Sequence, residues 1–185
     1  MFLRKPKLEP LPVTMSGVRM GERVLQVGVD DPAHAGALAA KVGLSGSAAM
    51  AVGDEGSAAS ARAGAATAGA LIDIHVTPLH TFPFADAAFD VVVVHGVKGL
   101  IRDADEDART RLLAESHRVL RLGGRLVVVE SGPRSGFSAW LHPVKPNEAY
   151  DAAGGTVGVL QAARFKPVRV VGEREGYRFI EGLKT

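Results

Sequence analysis

Two uninterrupted valine runs place the strongest constraint on how this chain can fold. Residues 91–94 and 127–129 are all valine, with no polar residue at alternate positions. Strands formed by such runs must be covered on both faces, which is typical of the centre of a mostly parallel sheet with helices on either side. The sequence therefore predicts an α/β domain in which these two strands lie near the middle.

The rest of the chain alternates between short β-branched runs and longer Ala-rich stretches, which predicts successive strand and crossover-helix units. We expect strands at residues 23–29, 48–53, 71–76, 89–95, 125–130, 167–172 and 177–182. We expect helices at residues 32–42, 57–68, 106–120 and 156–164. The short turn before Tyr177 allows only an antiparallel connection, so the last strand should run against the others.

Length, charge and cysteine content narrow the class of protein. A chain of 185 residues with 46% hydrophobic and 23% charged residues suits one principal domain with an aliphatic core. The 22 Lys and Arg against 20 Asp and Glu leave a net charge of +2, so no nucleic-acid partner is predicted. The absence of cysteine excludes disulfides and thiolate metal sites, and no run of roughly 18 apolar residues indicates a membrane span. We expect a cytoplasmic protein with an N-terminal arm at residues 1–20 and one domain at residues 21–185.

Four short segments form an ordered series along the chain. They are GERVLQVG at residues 21–28, TFPFADAAFDVV at 81–92, RVLRLGGRLVVV at 118–129 and ARFKPV at 163–168. In this order and spacing they resemble the class I S-adenosylmethionine (SAM)-dependent methyltransferases. The resemblance implies a Rossmann-like, mostly parallel seven-stranded sheet with an antiparallel last strand. It also implies SAM as cofactor and a small molecule as methyl acceptor, with quinone precursors among the acceptors of the nearest group.

The turn after the first strand departs from the pattern of that family. The family has acidic-x-Gly-x-Gly-x-Gly there, because glycine leaves room for the methionine end of the cofactor. Here Gln26 takes the acidic position, Gly28 is kept, and Asp30 and Pro32 stand at the next two glycine positions. The motif is therefore degenerate, and the Asp30 side chain is expected near the carboxylate of the cofactor. The run Asp30-Asp31-Pro32 also predicts a helix start, with Asp as N-cap and Pro in the first turn.

Two further positions align with cofactor contacts of the family. An acidic residue after the second strand holds the ribose hydroxyls in the family, and Asp54 or Glu55 fills that position here, although a solvated turn explains the same residues. The acid that contacts the adenine amino group falls on Thr77 or Pro78, so only the Thr77 hydroxyl is left. The predicted cofactor-binding residues are Gln26, Gly28, Asp30, Asp54, Glu55 and Thr77.

Histidines are the candidate catalytic groups. Methyl transfer needs alignment of donor and acceptor and, for some acceptors, a general base. His95, at the end of the fourth strand, is the predicted base, and His142 in the long connection at residues 131–155 is a second candidate. A lone histidine is more often structural. No spacing of metal ligands occurs, so no metal is predicted.

Two functions stay open from the sequence. In the first, the chain is a SAM-dependent methyltransferase of a small molecule, with residues 131–155 closing over the substrate. In the second, it is a methyltransferase-fold protein that has lost SAM binding and serves as an interaction or regulatory module, as a homodimer or with a protein partner. The replacement of two glycines by Asp30 and Pro32 favours the second through clash and like charge. The fold favours the first by analogy.

Overall fold

The computed structural model describes residues 9–132 and 147–185. In chain order its elements are α1 (Leu11–Met15), β1 (Arg23–Val27), α2 (Pro32–Lys41), β2 (Ser47–Val52), α3 (Glu55–Ala68), β3 (Asp73–Val76), β4 (Phe89–His95), α4 (Glu106–Val119), β5 (Leu120–Ser131), α5 (Glu148–Ala152), α6 (Gly155–Ala162), β6 (Val168–Arg174) and β7 (Tyr177–Leu183). No helix within these two ranges is long and apolar enough to cross a membrane.

A single seven-stranded sheet organises the fold, with strand order β3-β2-β1-β4-β5-β7-β6. Strands β1 to β5 pair in parallel, and β7 pairs antiparallel with both β5 and β6. The predicted Rossmann-like α/β sheet and its antiparallel last strand are confirmed. The chain leaves β1 toward β2 on one side and enters β4 on the other, so a crevice forms at the carboxyl ends of β1 and β4. Open α/β sheets bind ligands at this kind of switch point.

The valine run of β4 divides its side chains between two apolar clusters. Val92 and Val94 belong to the cluster that contains residues of α4, α5 and α6. Val91 and Val93 belong to the cluster that contains Val13 of the N-terminal segment and residues of α2. All four valines have no exposed surface. Both faces of the sheet are therefore covered, as the absence of polar alternation predicted.

The boundary between α4 and β5 differs from the sequence expectation. The helix ends at Val119, and Leu120 is already extended, with ψ 138°. Leu120 pairs with Phe89 and is fully buried, so β5 starts well before the predicted residue 125. Gly123 takes a left-handed φ of 72° inside the strand. Burial of Leu120 against β4 therefore sets this boundary.

Two glycines allow α2 and α3 to pack closely. A Cβ on Gly64 would lie 1.9 Å from the backbone oxygen of Pro32, and one on Gly36 would lie 2.2 Å from the backbone oxygen of Gly64. Each interior glycine lowers helix stability by about 1 kcal/mol relative to alanine. Despite this cost, α3 is continuous from Glu55 to Ala68. The close contact places the start of α2, which follows β1, against the second half of α3.

Candidate active site

The predicted cofactor residues lie along one edge of the sheet. Gln26 is in β1 and Gly28 follows that strand, Asp54 follows β2, and Thr77 follows β3. The carboxyl ends of parallel strands meet at a common edge, so the fold places these residues beside one another and beside the switch point. What each side chain contacts there decides what the edge can bind.

Gly28 forms a left-handed turn that is covered on one side by Leu100. Its φ is +74°, a conformation that favours glycine, and its N–H donates to the Ala51 carbonyl at 2.9 Å. A Cβ at this position would lie 2.9 Å from Cδ2 of Leu100 and 3.5 Å from the carbonyl oxygen of His95. Leu100 lies in the connection from β4 to α4 and packs against the adjacent apolar cluster. Leu100 therefore covers the side of Gly28 on which a Cβ would lie.

Asp30 joins the turn after β1 to the connection after β4. Its carboxylate accepts hydrogen bonds from the backbone N–H of Val97 at 2.7 Å and of Lys98 at 3.1 Å. Burial raises the pKa of this carboxyl, and the two N–H groups, Lys98 and His34 oppose that rise. The expectation that Asp30 lies near a cofactor carboxylate stays a prediction, because backbone amides are its partners in this structure.

The Asp-Asp-Pro sequence forms the predicted helix start. The Asp31 carboxylate accepts from the Ala33 N–H at 2.8 Å as N-cap of α2, and Pro32 is the first residue of that helix. This prediction is confirmed. The backbone at the family's second and third glycine positions therefore serves a helix terminus.

The two acidic residues after β2 are both exposed. Asp54 is the N-cap of α3, and its carboxylate accepts from the N–H and the hydroxyl of Ser57, both at 2.8 Å. The Ser57 N–H is the largest cause of the lowered pKa of Asp54. Glu55 opens α3 and lies 3.5 Å from Arg62. A carboxylate has about four acceptor positions, so Asp54 keeps capacity for a ligand hydroxyl while it caps the helix.

Thr77 already donates its hydroxyl hydrogen within its own loop. Its Oγ1 donates to the carbonyl of Thr81 at 2.9 Å, and its N–H donates to the carbonyl of Val52 at 2.9 Å. The hydroxyl oxygen can still accept a hydrogen bond. Thr77 therefore suits a donor such as an amino group better than an acceptor.

Gln26 and His95 form a buried polar bridge beneath the switch point. The Gln26 amide nitrogen donates to the Ala35 carbonyl at 3.0 Å, and its Oε1 lies 2.9 Å from Nε2 of His95. With Oε1 able only to accept, Nε2 of His95 must carry the hydrogen. Burial is the main cause that lowers the pKa of His95 to about 4. The imidazole is therefore neutral near pH 7 and links β1 to β4.

This environment bears on the predicted catalytic role of His95. A base with a pKa of about 4 has little tendency to take a proton near neutral pH. Only 5% of the residue surface is exposed, so access to an acceptor is limited. The catalytic role of His95 stays a prediction, and its contacts favour a structural one. His142 and most of the predicted substrate-covering connection lie outside the described residues.

A second polar cluster at this edge was not predicted. Thr156 Oγ1 donates to a carboxylate oxygen of Glu130, and the Tyr150 hydroxyl donates to Thr156 Oγ1. Burial raises the pKa of Glu130. Glu130 lies near the carboxyl end of β5, next to β4, with Arg178 3.6 Å away. Its position at a strand end is the only sequence signal, because Tyr150 and Thr156 come from helices far along the chain.

The part of the chain that the structure describes contains no set of metal ligands. No group of three or more His, Asp or Glu side chains is placed there to hold an ion. The carboxyl end of the sheet offers hydrogen-bonding side chains after three strands, namely Asp30, Asp54 and Thr77, together with the buried imidazole of His95 and the half-buried carboxyl of Glu130.

Comparison with known proteins gives consistent matches. The family described as "Methyltransferase domain" matches residues 25–128, more than half of the chain. The ubiquinone/menaquinone biosynthesis C-methyltransferase UbiE of Geotalea daltonii is 29% identical over 102 residues, which are 54% of this chain and 41% of that protein. UbiE of Geotalea uraniireducens is 30% identical over 104 residues, covering 55% and 42%. The match thus spans less than half the length of these curated relatives.

Solved structures share the fold at lower identity. A SAM-dependent methyltransferase from Aquifex aeolicus superposes with a TM-score of 0.69 and 16% identity, covering 94% of this chain and 87% of that one. The arsenic(III) S-adenosylmethionine methyltransferase CrArsM of Chlamydomonas reinhardtii has a TM-score of 0.61 and 21% identity, covering 90% and 64%. At these identities the likeness establishes the fold alone.

Proposed function

We propose that this chain, which belongs to the class I SAM-dependent methyltransferase family, transfers a methyl group from SAM to a small molecule. The observation that carries the proposal is the left-handed Gly28 turn, which ends β1 beside the switch point with β4. Such a turn suits the close approach of a nucleotide cofactor to the backbone. The exposed Asp54 carboxylate after β2 supports a contact with ribose hydroxyls.

The acceptor is proposed from the curated relatives and from the Glu130 cluster. Both relatives are named as C-methyltransferases of ubiquinone and menaquinone biosynthesis, which supports methylation of a small molecule at carbon. SAM, when bound, supplies the methyl group on a sulfonium centre. Glu130 is the group placed to hold a polar atom of the acceptor or to take its proton, because Thr156 and Tyr150 fix its carboxyl at the edge next to β4.

Not every residue at the edge fits the cofactor. Asp54 suits a contact with the ribose, and the Gly28 backbone suits the close approach of a cofactor. Two side chains do not fit, because Leu100 packs on Gly28 and the Asp30 carboxylate has the same charge as the carboxylate of the cofactor. If the methionine end binds at this turn, as in the family, Leu100 would have to move, and the Asp30 carboxylate, held by the N–H groups of residues 97 and 98, would add a like charge. These two contacts favour a second candidate function, a methyltransferase-fold protein that does not bind SAM and acts through a homodimer or a protein partner.

Calorimetric titration of the full chain with SAM and with S-adenosylhomocysteine tests the proposal. We expect micromolar binding by the native protein, and we expect tighter binding when Asp30→Gly and Pro32→Gly are combined, because that variant removes the clash and the like charge. No binding by the native protein together with binding by the double variant would reject the proposal and establish the second candidate.

A matched pair of variants tests the ribose contact without disturbing the helix. Asp54→Asn keeps a good N-cap for α3 but removes the carboxylate, so SAM affinity should fall by about tenfold. Glu55→Gln changes the neighbouring charge and should leave the affinity unchanged. Equal affinities for the two variants would contradict the assignment of Asp54.

A further inference from the structure

A cavity of about 780 Å³ lies between α4 and α6, on the sheet face opposite α1 and α2. Its walls include the apolar side chains of Leu113, Ala114, Val159, Ala162 and Ala163. None of the predicted cofactor residues lines it. The volume falls within the range of roughly 300–1,000 Å³ that small-molecule sites occupy, and such sites combine an apolar wall with a few polar groups.

The polar groups of this cavity are mainly cationic. They are Arg109, His117, Arg118 and Arg164, with Glu106 and Thr110 as the other polar side chains. Arg118 is neutralised, because it pairs with Glu115 at 2.7 Å and with Asp86 at 2.6 Å. Arg109 and Arg164 form no ion pair with a carboxylate in the described part of the chain, and Glu106 is the one carboxylate among the residues that line the cavity.

Arg109 is a buried cation with neutral partners. Only 5% of its surface is exposed. Its Nη1 donates to the carbonyls of Ile101 at 3.4 Å and Ala104 at 3.1 Å, and its guanidinium lies 5.5 Å from the centre of the Tyr150 ring. Within residues 9–132 and 147–185 no carboxylate forms an ion pair with it. Buried charges are normally paired, and Arg109 is one of the residues that line the cavity. Its guanidinium is therefore suited to an anion that enters the cavity and reaches the small exposed part of this side chain.

Arg164 adds positive potential at the opposite end of the cavity. It follows α6 with a left-handed φ of 71° and is exposed, and no carboxylate in the described part of the chain pairs with it. Burial first, and then the neighbouring Lys184 and Arg164, lower the pKa of His117. The same two cations therefore disfavour a third positive charge at this end.

We propose that this cavity binds a small amphipathic carboxylate, with its hydrocarbon part along the walls of α4 and α6 and its anionic end at Arg109. The apolar wall disfavours a purely polar anion, and the cations, which outnumber the single wall carboxylate of Glu106, disfavour a cationic amphiphile. The cavity adjoins the Glu130 cluster through Tyr150, whose ring Arg109 contacts. None of the predicted cofactor residues lines it, so binding here does not require SAM.

Laurate is a suitable probe, with dodecyltrimethylammonium as the control of equal chain length and opposite charge. Calorimetric titration of the full chain should give micromolar binding of laurate and at least about tenfold weaker binding of the cationic amphiphile. Equal binding of the two amphiphiles, or no binding of laurate, would overturn the proposal. If the protein does not bind laurate but cosediments with phosphatidylglycerol vesicles, the proposal is also overturned. The cations would then be assigned to binding of a membrane surface.

Three variants locate the site. Arg109→Met keeps an apolar stem beside Tyr150 and should weaken laurate binding by about tenfold. Ala162→Trp fills the cavity from an exposed position on α6 and should abolish binding, whereas Ala66→Trp on the exposed face of α3 should not change it. Arg164→Ala, at an exposed site, should weaken binding even if the Arg109 variant does not fold. Unchanged affinity in Ala162→Trp would place the ligand elsewhere.

Discussion

The buried imidazole of His95 should make the stability of this protein depend on pH below neutrality. In the folded state its pKa is lowered from 6.5 to about 4 by burial. In the unfolded chain the ring takes a proton near the ordinary histidine pKa. Between these two values the unfolded state binds more protons than the folded state. The stability that depends on a neutral His95 is therefore fully present above about pH 6.5 and is lost as the pH falls toward 4.

The size of the effect follows from the difference between the two pKa values. One pKa unit corresponds to about 1.36 kcal/mol, so a shift from 6.5 to about 4 corresponds to about 3 kcal/mol of stability. This is a large fraction of the 5–15 kcal/mol that stabilises a typical domain. The hydrogen-bond partner of the ring is the neutral Gln26, and the charged side chains that act on it are His34 and Lys98, which lower its pKa, and Asp31, which raises it.

Urea unfolding followed by circular dichroism at several pH values between 4 and 7.5 measures this dependence. His95→Gln places a neutral donor toward Gln26 and removes the titrating group, so the difference between native protein and variant isolates the contribution of His95. We expect that difference to change by about 3 kcal/mol across the range, and the exposed His80→Gln should leave the profile as it is. If the difference in free energy of unfolding between native protein and the His95 variant stayed constant with pH, His95 would not be a buried neutral imidazole, and a role as a base would again be open to it.

Three other substitutions test the packing around the site. Gly64→Ala forces a Cβ into the closest backbone contact of α2 with α3 and should lower the free energy of unfolding by about 3 kcal/mol. Gly53→Ala is the control, because a Cβ there meets no atom within 4 Å, and it should change this free energy by less than about 0.5 kcal/mol. Equal effects in urea unfolding would contradict the helix contact. Gly28→Ala should cost about 2 kcal/mol in chemical denaturation, since its φ is +74° and Leu100 is close. Tyr150→Phe removes the hydroxyl donor to Thr156 and should lower the free energy of unfolding by about 1 kcal/mol, measured as a lower melting temperature. An unchanged melting temperature would show that this hydrogen bond does not contribute to stability.

Much of the fold was predictable because its signals are local in the sequence. The valine runs placed β4 and β5 at the centre, and the short turn before Tyr177 fixed the antiparallel direction of β7. The Asp31-Pro32 start of α2 was predictable for the same reason, since capping needs only neighbouring residues. The boundary at Leu120 was not, because burial against β4 decides it.

The site was predictable in its location but not in its contacts. Motif alignment placed Gly28, Asp54 and Thr77 at strand ends, and the structure brings them to one edge of the sheet. The partners of Asp30 and the bridge between Gln26 and His95 connect residues more than 60 positions apart. No local pattern encodes such pairs. The same holds for the cavity between α4 and α6, because only the folded structure brings Arg109 and Arg164 to one site.

The hydrogen bonds of Asp30 make this side chain a tethered competitor of any anion at the switch point. Its carboxylate accepts from two backbone N–H groups, those of Val97 and Lys98. Because it is attached to the same chain, its effective concentration at these donors can reach the millimolar range or more, as for other intramolecular partners. A free carboxylate must therefore displace the covalently attached Asp30 side chain. Its apparent affinity is its intrinsic affinity multiplied by the fraction of molecules in which the two amides are open. A glycine at position 30 would release both donors at once, so two amides become available to a ligand in a single substitution.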